Sequence, residues 1–230
     1  MWSDRSNIRH MRLGFPVSRI YGAMTPKKEP GERRGRGRPQ SFDRQKALCA
    51  AMRLFWDRGY EGTSFDDLIA AMQISASSFY NAFGSKEALY HEVIETYLSV
   101  AGGWFLSILR EDADTRTVFR DLTTAAAVEF TRPDRPAGCM ISVAATQCSP
   151  HQTRLRDLLA SQRTQAEDAM TSRLRKGQDV GDLPADTDIE ALAAFYGSLL
   201  RGMAVQARDG ASRERLLEIA RIGMQAWPVT

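Results

Sequence analysis

The sequence predicts an all-α protein in which a small N-terminal three-helix unit precedes a larger helical bundle, with about nine helices in total. Two observations carry this prediction. Apolar residues recur at the three- and four-residue spacing of a buried helix face almost throughout, and no segment alternates in the manner of a strand. Segments rich in glycine, proline and serine divide this pattern into pieces of ordinary helix length. With 230 residues, 43% of them hydrophobic, the chain is long enough to bury a substantial core.

The first predicted helix is defined by one apolar face and one terminal glycine. The spacing i, i+3, i+4, i+7 relates Leu48, Ala51, Met52 and Phe55. We expect this helix to run over about 42–58, with Gly59 ending it as a left-handed cap.

Two short helices follow, joined by a three-residue turn. The second is expected over about 65–72, where Ser64 and Asp67 resemble a capping box with Asp in place of the usual Glu. Ser75 is a good N-cap for a third helix that ends near Phe83. Helices this short are unstable alone, so both must pack on the first helix. The predicted arrangement is a helix–turn–helix.

The rest of the chain is predicted to form the larger bundle. Breakers rich in proline and glycine separate its helices. The expected spans are approximately 85–109, 115–130, 137–148, 151–176, 186–208 and 212–226.

The start of the third helix has a composition that suits contact with DNA. In a helix–turn–helix the later helix enters the major groove N-terminus first. Residues 75–78 are small or carry hydroxyls, so the backbone can approach bases and the hydroxyls can bond to bases or phosphates. Tyr80 has a polar tip for the phosphate backbone, and Lys86 lies where free N–H groups and an ammonium make an anion site. Taken singly, each residue fits a structural role equally well.

The segment "ALCAAMRLFWDRGYEGTSFDDLIAAMQISASSFYNAFGSKEALY" resembles the N-terminal domain of the TetR family of transcriptional regulators over about 45 residues. Ser77 and Ser78 depart from the family, since many relatives carry glycine, proline or a larger polar residue there. The base preference therefore does not carry over. The resemblance implies DNA contacts at Thr63, Ser64, Ser75, Ala76, Ser77, Ser78, Tyr80, Asn81 and Lys86, and we expect Arg36 and Arg38 of the preceding arm to add to them.

Charge is distributed unevenly along the chain. Residues 1–46 carry twelve lysines and arginines against four acids, a net +8, whereas the remainder carries nineteen against twenty-four, a net −5. We expect residues 1–40 to be a disordered basic arm and 41–86 the helix–turn–helix domain. Within the arm, "RGRGRPQ" resembles minor-groove hooks, because arginine fits the narrow, negative groove of A·T-rich DNA. A solvated tail without function is the alternative reading of the charge alone.

Cysteine usage and hydropathy indicate a cytoplasmic protein. Three cysteines do not form a disulfide framework, which favours a reducing compartment. No apolar run approaches the roughly 20 residues needed to span a bilayer, so no membrane association is expected. The N-terminus has arginines without an apolar stretch, so a secretory signal is not expected.

The resemblance implies that residues 87–230 form a ligand-binding and dimerisation domain. The family dimerises through its last two helices, and apolar stripes on both helices here fit a four-helix interface. A helix pair buried within one subunit is the alternative. The expected interface residues are Ile189, Ala193, Gly197, Leu200, Leu216, Ala220, Gly223 and Trp227.

The resemblance also implies a ligand cavity inside this domain. Aromatic residues with a few hydrogen-bonding groups would suit a small, largely apolar or aromatic effector. The candidate pocket residues are Trp104, Phe105, Phe119, Thr123, Phe130, Met140, Gln147, His151, Phe195 and Tyr196.

Cys139 raises the alternative of a thiol-based redox or metal-responsive regulator of the same fold. Cys139 and Cys148 are nine residues apart, about 180° around a continuous helix, which disfavours a shared metal. Cys148 and His151 are three apart but lie on either side of Pro150, and two ligands do not make a site. We therefore expect no metal and no cofactor.

The sequence favours a DNA-binding regulator over two other classes. No phosphate-binding loop, dinucleotide fingerprint or hydrolase motif is present, so an enzyme is not expected. An architectural protein would bind DNA through the arm without sequence preference. The interpretation is a homodimeric repressor that binds a palindromic operator in double-stranded DNA and is released by a small-molecule effector.

Replacing both Arg36 and Arg38 by Ala is expected to weaken DNA binding and to flatten its salt dependence, because fewer counterions are released. The measurement is the dissociation constant across a series of salt concentrations. An unchanged slope would count against the arm.

Overall fold

The computed structural model describes residues 43–144 and 152–228, which belong to one compact unit. Within these ranges the chain forms ten α-helices and no strand. The helices are α1 (Arg44–Arg58), α2 (Phe65–Met72), α3 (Ala76–Phe83), α4 (Lys86–Val100), α5 (Gly103–Leu109), α6 (Thr115–Phe130), α7 (Met140–Ala144), α8 (Thr153–Asp179), α9 (Ile189–Arg208) and α10 (Arg213–Gly223), followed by a 3-10 turn over Met224–Ala226.

The all-α prediction is confirmed, and the count differs because the predicted fourth helix is two helices. The chain turns at Ala101 and Gly102, whose N–H groups both donate to the carbonyl of Tyr97. Glycine is a poor helix former, and Gly102 offers no side-chain cap to the segment that follows. The break therefore separates α4 from α5.

Capping by side chains sets the ends of the first short helices. The capping box predicted at Ser64 is present, since its Oγ accepts from Asp67 N–H at 3.0 Å and Asp67 accepts in return from Ser64 N–H at 3.1 Å. Ser75 Oγ accepts from Ser78 N–H at 3.1 Å and starts α3. Between them Gln73 adopts a left-handed conformation with φ of 55°, which turns the chain from α2 into α3.

An aromatic core binds α1, α2, α3 and α4 together. Phe79 of α3 is fully buried and meets Phe65 edge-on, with ring centroids 4.9 Å apart. Phe55 of α1 meets Tyr90 of α4 in the same way at 4.9 Å. These rings orient α3 against its neighbours, so its other face is left to solvent.

A second core lies among α6, α9 and α10. Its centre is an aromatic cluster in which Phe119 contacts Tyr196 at 5.0 Å and Trp227 at 5.3 Å between ring centroids. Burial of the Tyr196 hydroxyl raises the pKa of that group above its ordinary value. All three rings are buried, which fixes the C-terminal end of the chain against α6.

This second core places the expected dimer residues inside the subunit. The residues of the apolar stripe read from the sequence are buried within the subunit, so they do not form the outer surface of α9 and α10. The eight buried residues are Ile189, Ala193, Gly197, Leu200, Leu216, Ala220, Gly223 and Trp227. The outer faces of the two helices carry Phe195, Val205 and Ile222, which are 40%, 43% and 53% exposed.

Phe79 and its neighbour Tyr80 give a matched test of this packing. Phe79→Ala is expected to lower the free energy of unfolding by about 3–5 kcal/mol, because it leaves a cavity under α3. Tyr80→Ala removes a ring that is 56% exposed, so its effect should stay under about 1.5 kcal/mol. Urea denaturation followed by circular dichroism measures both, and equal losses would contradict the assigned burial.

Candidate DNA-binding surface and ligand cavity

The outer face of α3 carries most of the side chains that the sequence singles out. Ala76, Ser77, Tyr80 and Asn81 are exposed, whereas Phe79 is buried and fixes the helix from below. The four exposed residues lie together because the positions i, i+1, i+4 and i+5 share one side of a helix. They form a continuous surface that begins at the helix N-terminus.

Three serine hydroxyls cluster at that N-terminus. The Oγ of Ser75 lies 2.9 Å from the Oγ of Ser77 and 2.9 Å from the Oγ of Ser78, while it also caps the helix. Such a network holds the hydroxyls in place before any partner arrives. It also means that Ser75 has a structural task besides any contact with DNA.

Tyr80 is held as an exposed ring with a polar end. Its ring stacks on Phe65 with a centroid distance of 5.3 Å and an interplanar angle of 23°. An edge contact with Phe79 at 5.6 Å fixes the ring from the other side. An aromatic side chain supported in this way presents its hydroxyl at little cost in conformational entropy.

Lys86 is the first residue of α4, three residues after the end of α3. Its ammonium sits 4.3 Å from the centroid of the Tyr60 ring, a cation–π geometry. Partial burial lowers the pKa of Lys86, and the nearby Glu61 opposes that shift. The residue is therefore a positioned cation at a helix N-terminus and not a freely solvated one.

Two of the expected DNA contacts have internal tasks in the structure. The side chain of Thr63 is fully buried, and its hydroxyl donates to the carbonyl of Gly59 at 2.7 Å. The hydroxyl therefore closes the α1–α2 turn and is not available for DNA, while the expected contact of Thr63 with DNA stays a prediction. Ser64 is exposed but donates to Asp67 at 2.7 Å, and the bonds from Ser64 hold the pKa of the Asp67 carboxyl below its ordinary value.

Arg44 anchors α3 and was not found from the sequence. Its guanidinium donates to the carboxylate of Glu92 at 2.7 Å and to the carbonyl of Ala82 at 3.3 Å. The same group lies over the Phe83 ring, 4.8 Å from its centroid. Arg44 thus joins α1, the end of α3 and α4. A basic residue in a first helical turn gives no sequence signal for such a role.

The arm residues Arg36 and Arg38 lie outside the described residues, and so do Gln147, Cys148 and His151.

The larger helical part of the chain contains a cavity of about 400 Å³. Trp104 and Phe105 of α5 and Phe130 of α6 provide its aromatic wall. Ring contacts keep these three together, with Trp104 6.0 Å from Phe105 and 6.0 Å from Phe130 between centroids. The volume falls in the range of small-molecule sites, roughly 300–1,000 Å³.

The other described candidates for the pocket do not line this cavity. Phe119 and Tyr196 belong to the aromatic cluster with Trp227, and Thr123 donates to the carbonyl of Phe119 at 3.0 Å. Met140 is buried, and Phe195 borders a separate shallow depression near the start of α9. Helical rotation explains the difference, since Gly197, Leu200 and Arg201 occupy the side of α9 that faces the cavity.

Tyr97, which the sequence does not single out, connects the cavity wall to α1. Its hydroxyl donates to Cys139 Sγ at 3.2 Å, and both residues line the cavity. Burial raises the pKa of Tyr97 well above its ordinary value. The Tyr97 ring meets Trp56 of α1 edge-on at 4.9 Å. One side chain thus touches both the cavity and the helix that supports α3.

The segment between α6 and α7 makes a second connection to α1. The guanidinium of Arg135 lies 5.5 Å from the Trp56 ring and forms a buried ion pair with Glu129. Arg53 of α1 donates to the carbonyl of Asp134 in the same segment. Gly138 has φ of 78°, and a Cβ there would lie 2.5 Å from the carbonyl of Ala204 in α9, so this segment is pressed close to α9.

Helix α9 also contacts the end of α1 directly. Arg208 donates to the carbonyl of Trp56 at 3.0 Å and to the carbonyl of Asp57. The C-terminal end of α1 is therefore held by α4, by the segment before α7 and by α9.

No group of three or more His, Cys, Asp or Glu side chains in residues 43–144 and 152–228 is placed to hold a metal ion. Across the same part of the chain, every helix is too short or too polar to cross a membrane.

Comparisons with known proteins identify the class to which this fold and surface belong. Residues 47–93 match the family of bacterial regulatory proteins described as tetR, and residues 110–221 match a tetracyclin repressor-like C-terminal domain. The chain belongs to the TetR family of helix–turn–helix transcriptional regulators.

Particular relatives cover most of the chain. It is 35% identical over 197 residues to the HTH-type transcriptional repressor ComR of Escherichia coli, covering 85% of this chain and 94% of ComR. It is 30% identical to the uncharacterized regulator YezE of Bacillus subtilis, covering 78% of this chain and 93% of YezE. A cysteine mutant of the TetR family regulator CifR, solved with 26bp double-strand operator DNA, has a TM-score of 0.80 and 41% identity, covering 83% of this chain and 100% of that one.

Proposed function

We propose that this protein is a sequence-specific DNA-binding repressor that a small-molecule effector releases from its operator. The observation that carries the proposal is the exposed face of α3, in which hydroxyls and Tyr80 surround a helix N-terminus that a buried aromatic core holds in place. The solved complex of CifR with operator DNA supports it, as does the repressor ComR. A repressor must reach chromosomal DNA, so we propose that the protein is located in the cytoplasm.

The arrangement of α3 suggests how DNA is held. Its N-terminus carries partial positive charge from the helix dipole and presents Ser77 toward the groove. Tyr80 on the exposed face of α3 and Lys86 at the start of α4 would bind phosphates, which fix the register of the helix on the duplex. Residues 41–86 would form this reading domain, with the basic arm of residues 1–40 adding contacts in the minor groove.

The exposed apolar residues of α9 and α10 suggest how two copies associate. Phe195, Val205 and Ile222 lie on the outer sides of these helices, where burial by a second copy would gain free energy from the hydrophobic effect. Two α3 helices would then face half-sites about 34–36 Å apart on a palindromic operator. The face that carries Phe195, Val205 and Ile222 is therefore the proposed dimer interface, in place of the buried apolar stripe expected from the sequence. Residues 87–230 as a whole would be the regulatory domain.

The contacts around Trp56 suggest how the effector acts. A ligand in the cavity would touch the wall that contains Tyr97 and Cys139, and Tyr97 packs on Trp56 at the end of α1. A shift of this wall would move α1 and the α3 helix that packs on it, so that the half-site spacing is lost. Coupling between two such sites is typically about 1–3 kcal/mol.

A second candidate function is thiol-based sensing at Cys139. The observation that favours it is the position of this cysteine on the cavity wall, where its Sγ accepts a hydrogen bond from Tyr97. An oxidant or metal that enters the cavity would reach the thiol.

The whole proposal is tested by selecting binding sequences from a random pool of duplex DNA and footprinting the protein on the enriched fragment. Protection of a palindrome supports a dimeric regulator. Equal binding to every sequence would instead indicate an architectural protein.

Tyr80→Phe is expected to weaken binding to the enriched fragment roughly 10- to 100-fold, the effect of losing one hydrogen bond to a charged phosphate. The substitution keeps the stack on Phe65, so the fold should not change. The measurement is a fluorescence-anisotropy titration, with Val180→Ala as a matched control because Val180 is 65% exposed and belongs to no proposed contact. Binding within twofold of the unchanged protein would remove Tyr80 from the interface.

Tyr97→Phe is expected to reduce effector-driven release roughly 2- to 10-fold, because it deletes the hydroxyl bond to Cys139 and keeps the ring on Trp56. The ratio of DNA dissociation constants with and without an effector found by screening measures the coupling. An unchanged ratio would contradict this route.

Cys139→Ser in the same assay separates the two candidate functions. Release that survives the substitution indicates a reversibly bound effector. Release by oxidant or copper that the substitution abolishes indicates the thiol.

A further inference from the structure

The walls of the cavity differ in chemistry according to the helix that provides them. Helices α5 and α6 contribute Trp104, Phe105, Leu106 and Phe130, all apolar and three of them aromatic. Helices α8 and α9 contribute Arg163 and Arg201, together with the amides of two glutamines. Among the described residues that line the cavity there is no aspartate or glutamate, so Arg163 and Arg201 give this part of the wall a positive formal charge.

Arg201 is placed on the cavity side of α9 by the glycine one turn before it. A Cβ at Gly197 would lie 3.4 Å from Nη1 and 3.6 Å from Nη2 of Arg201. The guanidinium therefore lies across the backbone of its own helix at Gly197, and both residues line the cavity.

The contacts of Arg201 with other residues are weak and lie at the edge of the site. Its Nη2 donates to Ser198 Oγ at 3.3 Å, and its Nη1 is 3.7 Å from the carboxylate of Glu167. The side chains of this ion pair are 38% and 37% exposed, and solvent screens a pair of that kind. Glu167 does not line the cavity, so Arg201 retains N–H donors for an anion bound inside the cavity.

Arg163 brings a second guanidinium to the same wall from α8. Its Nη1 atom is buried, and the residue lines the cavity with Gln162 and Ala166 of the same helix. Guanidinium groups that are partly shielded from water attract an anion more strongly than they do in bulk water. Their planar donors match the two oxygens of a carboxylate.

We propose that the effector is an amphipathic organic acid whose carboxylate is bound by Arg163 and Arg201 while its apolar body packs on Trp104, Phe105 and Phe130. This inference rests on the proposed function, since it names the class of ligand that the regulatory cavity takes. A neutral compound of the same shape would lose the charge-assisted bonds, and an amine would meet two like charges.

The test compares probes that share one body and differ in charge. Calorimetric titration of the full chain with 6-phenylhexanoate, 6-phenylhexan-1-ol and 6-phenylhexylamine measures each affinity, and decanoate with decan-1-ol repeats the comparison on an aliphatic body. The acids are expected to bind at least roughly tenfold more tightly than the alcohols, the effect of one charge-assisted hydrogen bond. Alcohols that bind as tightly as the acids, or acids that do not bind, would overturn the proposal.

Substitutions then locate the charge effect. Arg163→Gln and Arg201→Gln are each expected to weaken acid binding roughly tenfold and to leave alcohol binding within twofold. Arg156→Gln, on an exposed position of α8, is the matched control and should change neither affinity. The contrary result is a variant with unchanged circular dichroism that loses affinity for the acid and the alcohol equally. That result would show that the arginines shape the cavity and do not bind the carboxylate, and it would overturn the proposal.

The DNA measurement separates this inference from the proposed function. The titrations decide the ligand class without DNA. Addition of the acid to the complex of the protein with the enriched duplex decides whether acid binding releases the DNA. Acid binding without release contradicts the regulatory coupling and supports the ligand class.

Discussion

The structure depends on one constraint, which is that α1 must pack against two sets of neighbours at once. Its apolar face, with Met52 and Phe55 fully or almost fully buried, supports the helices that present α3. Its C-terminal end carries Trp56, which contacts Tyr97 of α4 and Arg135 of the segment before α7. Because interiors are close-packed, neither side of α1 moves without a response from the other. That property suits a helix that lies between the proposed DNA-binding surface and the cavity.

Polar groups at this junction add specificity more than stability. Glu129 and Arg135 form an ion pair whose side chains are 9% and 4% exposed, and burying both charges costs desolvation free energy that their attraction only partly offsets. The pair nevertheless fixes one position of Arg135 over Trp56. The hydroxyl of Tyr97, bonded to Cys139, has the same effect on the cavity side. A junction with directional contacts has few alternative arrangements, so a bound ligand would shift it between discrete states and not deform it gradually.

Helix α9 carries apolar residues on two sides. One side of α9 buries Tyr196 and Ala193 in the core, and Gly197 and Arg201 turn toward the cavity. The outer side exposes Phe195 and Val205, as a surface does when a partner is to cover it. A ligand that contacts one side and a second copy that contacts the other would then share a single rigid element.

The sequence by itself determined the all-α class, the ends of α2 and α3, and the family resemblance. These follow from local physics, since the capping residues Ser64 and Ser75 satisfy backbone donors within their own turns. Only the tertiary structure decided which apolar stripe of α9 faces inward, that Thr63 is buried, and which aromatic side chains reach the cavity. Periodicity identifies an apolar face but not the neighbour that covers it. Where a helix carries apolar residues on two sides, the choice depends on contacts between residues far apart in the chain, such as Phe119 with Trp227 or Trp56 with Arg208.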